Sequence, residues 1–312
     1  MPEPAEKMPP EDDHLQNLLL NAGATLFVAA SATMLTDFSR RLFNNDLDGV
    51  GVFSIVVQAV FVLAASSTFT DNGWTAICSL IQRLTHRPPN KTIWRFGLSL
   101  ALLVFSVPIW YLLPHQLASY YGWAGFRALA SQPDVALKDF ERALALDPSL
   151  QNASTDMGGA FESYYRYDDA IKAYQEGIVT NPNDLVAYNN LARVLLLQGE
   201  AMVALRITDQ ALTLRPFTSS PDDTETKSAL LKNRATAELD LHLYSQAISD
   251  ANGSASAAGD CIAGKTYDTL GQTAQAQQAW ASFLKRLAAS PDDAPHIDPD
   301  CTLLAKDSHE KD

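Results

Sequence analysis

The chain has 312 residues and a formal net charge of −13, a length that admits two ordinary domains. Its charge is uneven: residues 1–114 carry 7 Lys/Arg and 9 Asp/Glu, whereas 115–312 carry 16 and 27. An acidic second part without a basic stripe excludes a nucleic-acid partner, because phosphate contacts need clustered cations.

The opening tail, 1–17, is acidic and proline-rich, unlike the basic start of a signal peptide, and is expected to be disordered. Three uncharged runs follow, Leu18–Leu35, Val50–Phe69 and Phe96–Leu113. Runs of 18 or more residues without charge have the length and composition of membrane spans. The last is flanked by Trp94, Trp110 and Tyr111, which suit the lipid interface, and it holds Pro108. The first is the weakest, being rich in Ala and Thr, so 18–114 reads as an anchor of two or three transmembrane helices. No ionisable residue lies in any run, which favours an anchor over a channel or transporter. Between the second and third runs, Trp74, Ile77, Leu80, Ile81 and Leu84 share one helical face, either an interfacial helix or part of a loop.

With three spans, Lys7, Arg83, Arg87, Lys91 and Arg95 share one side of the membrane. Arg40, Arg41 and Arg127 share the other. Cytoplasmic loops carry the excess of Lys/Arg, so the count leans toward a carboxyl-terminal part outside the cytoplasm.

From residue 117 the sequence repeats. "ALKDFERALALDPS", "AIKAYQEGIVTNPN" and "ALRITDQALTLRPF" align, with Pro148, Pro182 and Pro216 spaced by 34 residues, as are Ala136, Ala170 and Ala204. Small residues let two helices cross closely, large ones fill the gap to the next unit, and Pro ends the second helix. This resembles the tetratricopeptide repeat, a helix–turn–helix unit with small residues at positions 8, 20 and 27, bulky ones at 4, 7, 11 and 24, and Pro at 32. The resemblance implies an all-α fold: transmembrane helices, then an α-solenoid of about five units over 117–290 (117–150, 151–184, 185–218, 228–256 and 257–290). Gly158, Phe161 and Tyr174 match in the second unit, and Leu191, Ala192 and Leu195 in the third. Thr208 stands where an aromatic is expected, and Arg234 and Glu238 fit the fourth unit poorly. "TSSPDDTETK" reads as a polar insertion or loop, and 291–312 as an acidic disordered tail.

Residues 259–266, "GDCIAGKT", fit G-x-x-x-x-G-K-[ST], the pattern of a phosphate-binding loop. No apolar strand precedes them, and the repeat register places Gly264 at a helix crossing, so nucleotide binding is only a remote alternative. No H-E-x-x-H or G-x-S-x-G occurs, and the six histidines are scattered. Cys78, Cys261 and Cys301 form no C-x-x-C and no zinc-ligand spacing with histidine. Cys261 and Cys301 can pair in an oxidising compartment, although usage alone favours free thiols. No enzyme activity, cofactor or metal is expected.

In the resembled family, positions 2, 5, 9, 12 and 13 of each unit face a concave groove. Position 5 gives Tyr121, Thr155, Asn189, Lys232 and Cys261, and position 9 gives Gly125, Gly159, Arg193, Thr236 and Lys265. Asn189, Arg193, Lys232 and Lys265 are thus the candidate partner-binding strip, able to hold a peptide carboxylate or acidic segment. The Lys/Asn clamp of chaperone-tail-binding members is not reproduced at Tyr121 and Gly125. The implied function is a membrane-anchored scaffold, similar to bacterial inner-membrane proteins with a short helical anchor, that holds a protein or peptide partner at the bilayer. An assembly or maturation factor for a membrane complex is the alternative.

Overall fold

The computed structural model describes residues 11–42, 75, 78–83, 90–290 and 298–309, and every regular element among them is an α-helix. The run at 50–69, and Trp74, Ile77 and Leu84, lie outside the described residues. In chain order the helices are α1 (Glu11–Leu42), α2 (Lys91–Ala128), α3 (Pro133–Leu146), α4 (Ala153–Ser163), α5 (Tyr167–Thr180) and α6 (Leu185–Leu197). They continue as α7 (Ala201–Thr213), α8 (Pro221–Asp240), α9 (Tyr244–Ser254), α10 (Ala257–Thr269), α11 (Thr273–Ala289) and α12 (Pro299–His309). The chain divides into two compact bodies, 1–124 with 141–150, and 125–140 with 151–312.

The first body is built on α1 and α2. Helix α1 begins at Glu11, so the disordered tail expected over 1–17 is corrected for residues 11–17. Acidic residues are favoured in a helix's first turn, and the sequence supplies Glu11, Asp12 and Asp13 there. Thr25, Ser31, Thr33 and Thr36 each donate their hydroxyl to the carbonyl four residues earlier, satisfying polar groups inside an apolar run. Gly23 and Phe27 meet Phe96, Ser106 Oγ donates to Ser31 Oγ at 3.2 Å, and Trp110 Nε1 donates to Asp37 Oδ2 at 3.2 Å. The residue numbers climb together on both helices, so α1 and α2 run parallel. Leu15–Met34 and Lys91–Ala128 are long and apolar enough to cross a membrane, and only 11% of the most apolar stretch of each is buried. Helix α2 runs unbroken through Pro108 and Pro114 into 117–128, so the third apolar run and the first helix of the first repeat are one element. Its Ala118 and Tyr121 are buried with Ala143 and Leu146 of α3.

The second body is a stack of helical hairpins, α4–α5, α6–α7, α8–α9 and α10–α11, each helix packed on the next. The close crossings are set by small-for-large pairs. A Cβ on Gly158 would come within 2.5 Å of the Tyr174 ring, and one on Gly264 within 2.6 Å of the Trp280 ring. The corresponding positions of the next hairpins hold Ala192 with Thr208 and Ala235 with Ala251, all fully buried. Thr208 departs from the aromatic because its partner is already larger than glycine, and its hydroxyl is satisfied by the Ala204 carbonyl at 3.0 Å. The turn inside each of these hairpins needs one left-handed residue at position 15. Gly199 and Gly271 take φ of 79° and 67°, whereas Tyr165 and His242 adopt 57° and 61° with side chains present.

Two expectations are corrected here. "TSSPDDTETK" is not a loop throughout: from Pro221 it forms the first turns of a 20-residue α8. Ser220 caps that helix, Pro221 sits at its first position, and Asp223 holds Arg215 through a two-pronged ion pair at 3.0 and 2.6 Å. The tail expected to be disordered over 291–312 contains α12, whose Cys301 and Ala305 are completely buried among Ala257, Ala276, Trp280 and Phe283. A disulfide joins Cys301 to Cys261 across a Cα–Cα distance of 5.7 Å. Closing a loop of 40 residues restricts the unfolded chain by about 4 kcal/mol on a chain-entropy basis.

The poor fit of the fourth repeat also has a structural answer. Arg234, at a core position, bridges Asp250 of α9 and Asp209 of α7. Glu238 is buried beside them with one carboxylate oxygen lacking any hydrogen bond. Burial, and then the charge of Asp250, push the Glu238 carboxyl up to about 7, with Arg234 opposing.

This packing generates two predictions. Gly264→Ala gains up to about 1 kcal/mol of helix propensity but forces a Cβ into Trp280, which costs about 1–3 kcal/mol. Denaturant titration should therefore show net destabilisation; a stabilised variant would mean that the ring relaxes freely. For Glu238 the folded carboxyl binds its proton more tightly than the unfolded one, so stability falls as pH rises from about 4.5 to about 7. Glu238→Gln should raise stability at pH 8 by about 3 kcal/mol, leave it nearly unchanged near pH 4.5, and flatten the profile between. An unaltered pH profile would assign the dependence to another group.

Candidate functional site

The second body carries a groove of about 970 Å³, lined by α6, α8, α10 and the start of α12. These first-of-hairpin helices present their fifth and ninth positions on one side, since four residues make roughly one turn. The groove collects three of the four candidates, Arg193, Lys232 and Lys265. Asn189 is not among its lining residues. Its side-chain and main-chain oxygens accept from Asn233 Nδ2 at 2.9 and 3.1 Å, and its own amide donates to Asn190. It therefore joins α6 to α8 instead of facing a ligand.

The first two repeats contribute nothing polar to the groove. Tyr121 is buried in the first body, and Thr155 donates to Asp184 Oδ2 at 2.7 Å, tying α4 to the cap of α6. Gly125 lies under Phe140, where a Cβ would meet the ring at 2.9 Å.

The three cations differ in how much charge they have left to offer. Arg193 forks onto both oxygens of Glu162 at 2.7 and 2.6 Å, and Tyr174 donates its phenol to the same carboxylate. Burial, and then the bond to Glu162, hold the Tyr174 phenol far above its usual range. Lys265 pairs with Asp298 at 2.5 Å. Lys232 is half-buried and, among the described residues, has no ion-pair partner. Burial, reinforced by the positive charge of Arg193, pushes its ammonium below the usual lysine range. A cation in that position gains most from an incoming anion, which would restore the charged form and replace lost solvation.

Around Lys232 the lining mixes apolar Leu196, Leu197, Leu239 and Ile262 with polar Asn233 and Thr236, and Asp240 adds a second carboxylate. The continuous basic strip expected from the sequence is thus corrected to one open cation among compensated ones. Leu196, Leu197 and Leu239 stand at positions 12 and 13, so the repeat register carried their signal. Glu162 also stands at position 12 and could have been found that way. Asp298 could not, because it lies beyond the repeats.

The phosphate-loop alternative at 259–266 is overturned by the same helices. The segment lies inside α10, with its backbone N–H groups directed along a helix. The N–H of Gly259 is taken by the Ser256 cap at 3.1 Å, and Gly264 packs against Trp280, leaving no ring of free donors to cradle a phosphate.

Residues 173–206 match the family model described as Tetratricopeptide repeat, a run from the second half of α5 into α7. Hsp70-Hsp90 organizing protein 3 of Arabidopsis thaliana is 30% identical over 79 residues, covering 25% of this chain and 14% of that protein. Small glutamine-rich tetratricopeptide repeat-containing protein 2 of Mycosarcoma maydis is 36% identical over 61 residues, 20% of this chain and 17% of that one. The chain thus spans less than a fifth of the length of these curated relatives. Among solved structures, a thermophilic TPR protein of Thermus thermophilus aligns with 17% identity and a TM-score of 0.45, over 61% of this chain and 98% of that one. MamA from Desulfovibrio magneticus RS-1 aligns with 14% identity and a TM-score of 0.45, over 56% and 96%. Residues 173–206 are thus matched as a tetratricopeptide repeat, and the hairpins on either side share its helix–turn–helix form.

Proposed function

We propose that the protein is a membrane-anchored scaffold whose groove binds an acidic segment of a partner protein and keeps that partner at the bilayer. The observation that carries this reading is Lys232, a half-buried cation without an ion-pair partner among the described residues, set among leucines in an open groove. The complementary ligand is an extended peptide with one carboxylate beside an apolar side chain. Arg193 and Lys265 border this anion site and, through their own carboxylates, set its polarity. The relatives named for organising Hsp70 and Hsp90 support a protein ligand for this repeat type. Confinement to a membrane raises the effective concentration of a captured partner, so a modest groove suffices.

The parallel course of α1 and α2 supports the anchor and its topology. Two parallel helices that both span a bilayer require the chain between them to cross back, and the uncharged run at 50–69 has the length for that crossing. Three spans place α12 and the groove on the side opposite to Arg83, Lys91 and Arg95. The lysine and arginine count then puts the repeats outside the cytoplasm. The Cys261–Cys301 disulfide favours the same side, since such bonds persist in oxidising compartments. An assembly or maturation factor for a membrane complex is a specialised form of the same recruitment.

The groove reading is tested by fluorescence anisotropy on full-length protein in detergent micelles, with fluorescein-labelled Leu-Glu-Leu-Glu as the probe. Lys232→Glu should weaken binding at least about ten-fold, as expected for losing a charge-assisted bond and gaining repulsion, and Lys232→Arg should restore most of it. Circular dichroism should stay unchanged, because Lys232 holds no partner that folding needs. Equal affinity of wild type and Lys232→Glu would rule the site out.

A further inference from the structure

Helix α12 lies beyond the last hairpin, where a further repeat would place its first helix, and it closes one end of the groove. Cys261, at the groove-facing fifth position of α10, is bonded to Cys301 of α12, and Lys265 at the ninth position is paired with Asp298 just before α12. Both Asp298 and Cys301 line the groove. The helix has 11 residues, below the length at which an isolated helix is stable in water. Of its described side chains, Cys301 and Ala305 are buried, a small apolar contribution. One covalent bond and one ion pair are therefore the principal ties that keep it in place.

We propose that the Cys261–Cys301 disulfide is a thiol–disulfide exchange latch that fixes α12 as the end wall of the groove, and that its reduction releases α12 and frees Lys265. The consequence for ligand binding rests on the groove reading above; the release itself does not. The partner in the exchange is a protein of the dithiol oxidoreductase class. Its thiolate adds to one sulfur of the disulfide, and the other sulfur leaves as a thiolate. The second thiol of the reductant then resolves the mixed disulfide. Cys261 and Cys301 end as thiols and the reductant as a disulfide, so two electrons and two protons pass to the latch. The reverse reaction, with an oxidised partner of the same class, sets it. Cys261 and Cys301 are 3% and 0% exposed, so exchange waits for a local opening of α12, and a closed latch is long-lived.

The change alters the chemistry of the groove. With the latch closed, Asp298 neutralises Lys265, and Lys232 is the one cation there without a partner among the described residues. With it open, two cations on adjacent helices face the groove, and a ligand with two carboxylates gains over one with a single carboxylate.

The test uses full-length protein in detergent micelles, oxidised or treated with dithiothreitol, together with Cys301→Ser and Asp298→Ala. Hydrogen exchange follows residues 298–309, and acetic-anhydride labelling read by peptide mass spectrometry follows Lys265 and Lys232. In the oxidised protein only Cys78 should alkylate. After reduction, and in Cys301→Ser, α12 amides should exchange about a hundred-fold faster, approaching an unprotected helix, while α4–α11 keep their protection. Lys265 should acetylate about ten-fold faster as its ion pair is lost, with Lys232 unchanged. Asp298→Ala should expose Lys265 but leave α12 protected. Protected α12 in the reduced protein, loosening that spreads through α10 and α11, or release of α12 in Asp298→Ala with the disulfide intact would each overturn the latch. Release of α12 without any change in binding of Leu-Glu-Leu-Glu would leave the latch standing and overturn the groove reading.

Discussion

The repeat domain depends on a steric constraint at its helix crossings: wherever one helix gives up its side chain, the partner spends a large one. Gly158 beneath Tyr174 and Gly264 beneath Trp280 are the extreme cases, and neither glycine has room for a methyl group. Close crossing sets the tilt of each hairpin, and the tilt sets which residues of the first helices converge. Lys232 meets Arg193 and Lys265 along one groove because Ala192, Ala235 and Gly264 let their helices nest at matched depth. The same constraint recruits polar chemistry. The phenol of Tyr174 reaches through to Glu162, and Glu162 in turn commits Arg193. A core side chain thereby decides how much charge the groove displays.

The fourth hairpin follows the constraint with different material. Ala235 and Ala251 leave no large ring at the crossing, and the neighbouring core positions are filled by Arg234 and Glu238. Arg234 is compensated by two carboxylates, whereas Glu238 retains an oxygen with no hydrogen bond. A buried acid of that kind is a cost that well-packed leucines at the same positions in the preceding hairpin, Leu191 and Leu195, do not carry. The hairpin that holds Lys232 thus also has a core that responds to protons.

The fold was legible where spacing is enforced by packing. The 34-residue interval of Pro148, Pro182 and Pro216 is a direct imprint of hairpin length, and Ala170 and Ala204 mark fully buried positions of the second helices. Three of the four proposed groove residues were legible for the same reason, since the register that buries Leu191 turns Arg193 outward. What the register could not carry was partnership. Nothing local to Arg193 signals that Glu162, 31 residues earlier, neutralises it, and nothing in the acidic stretch before Cys301 signals that Asp298 returns to Lys265. The helical start of α1 at Glu11 and the capped start of α8 at Pro221 were hidden by composition, because acidic and proline-rich segments serve helix beginnings as well as disordered tails.

Helix α12 has one more consequence. A solenoid grows by presenting at each end the face that a further unit would cover, and an uncovered end is a head-to-tail contact that propagates into filaments instead of closing. Burying Cys301 and Ala305 against Trp280 and Phe283 covers that face with α12. Helix α12 therefore occupies a surface of the last hairpin that a second copy of the chain would otherwise meet.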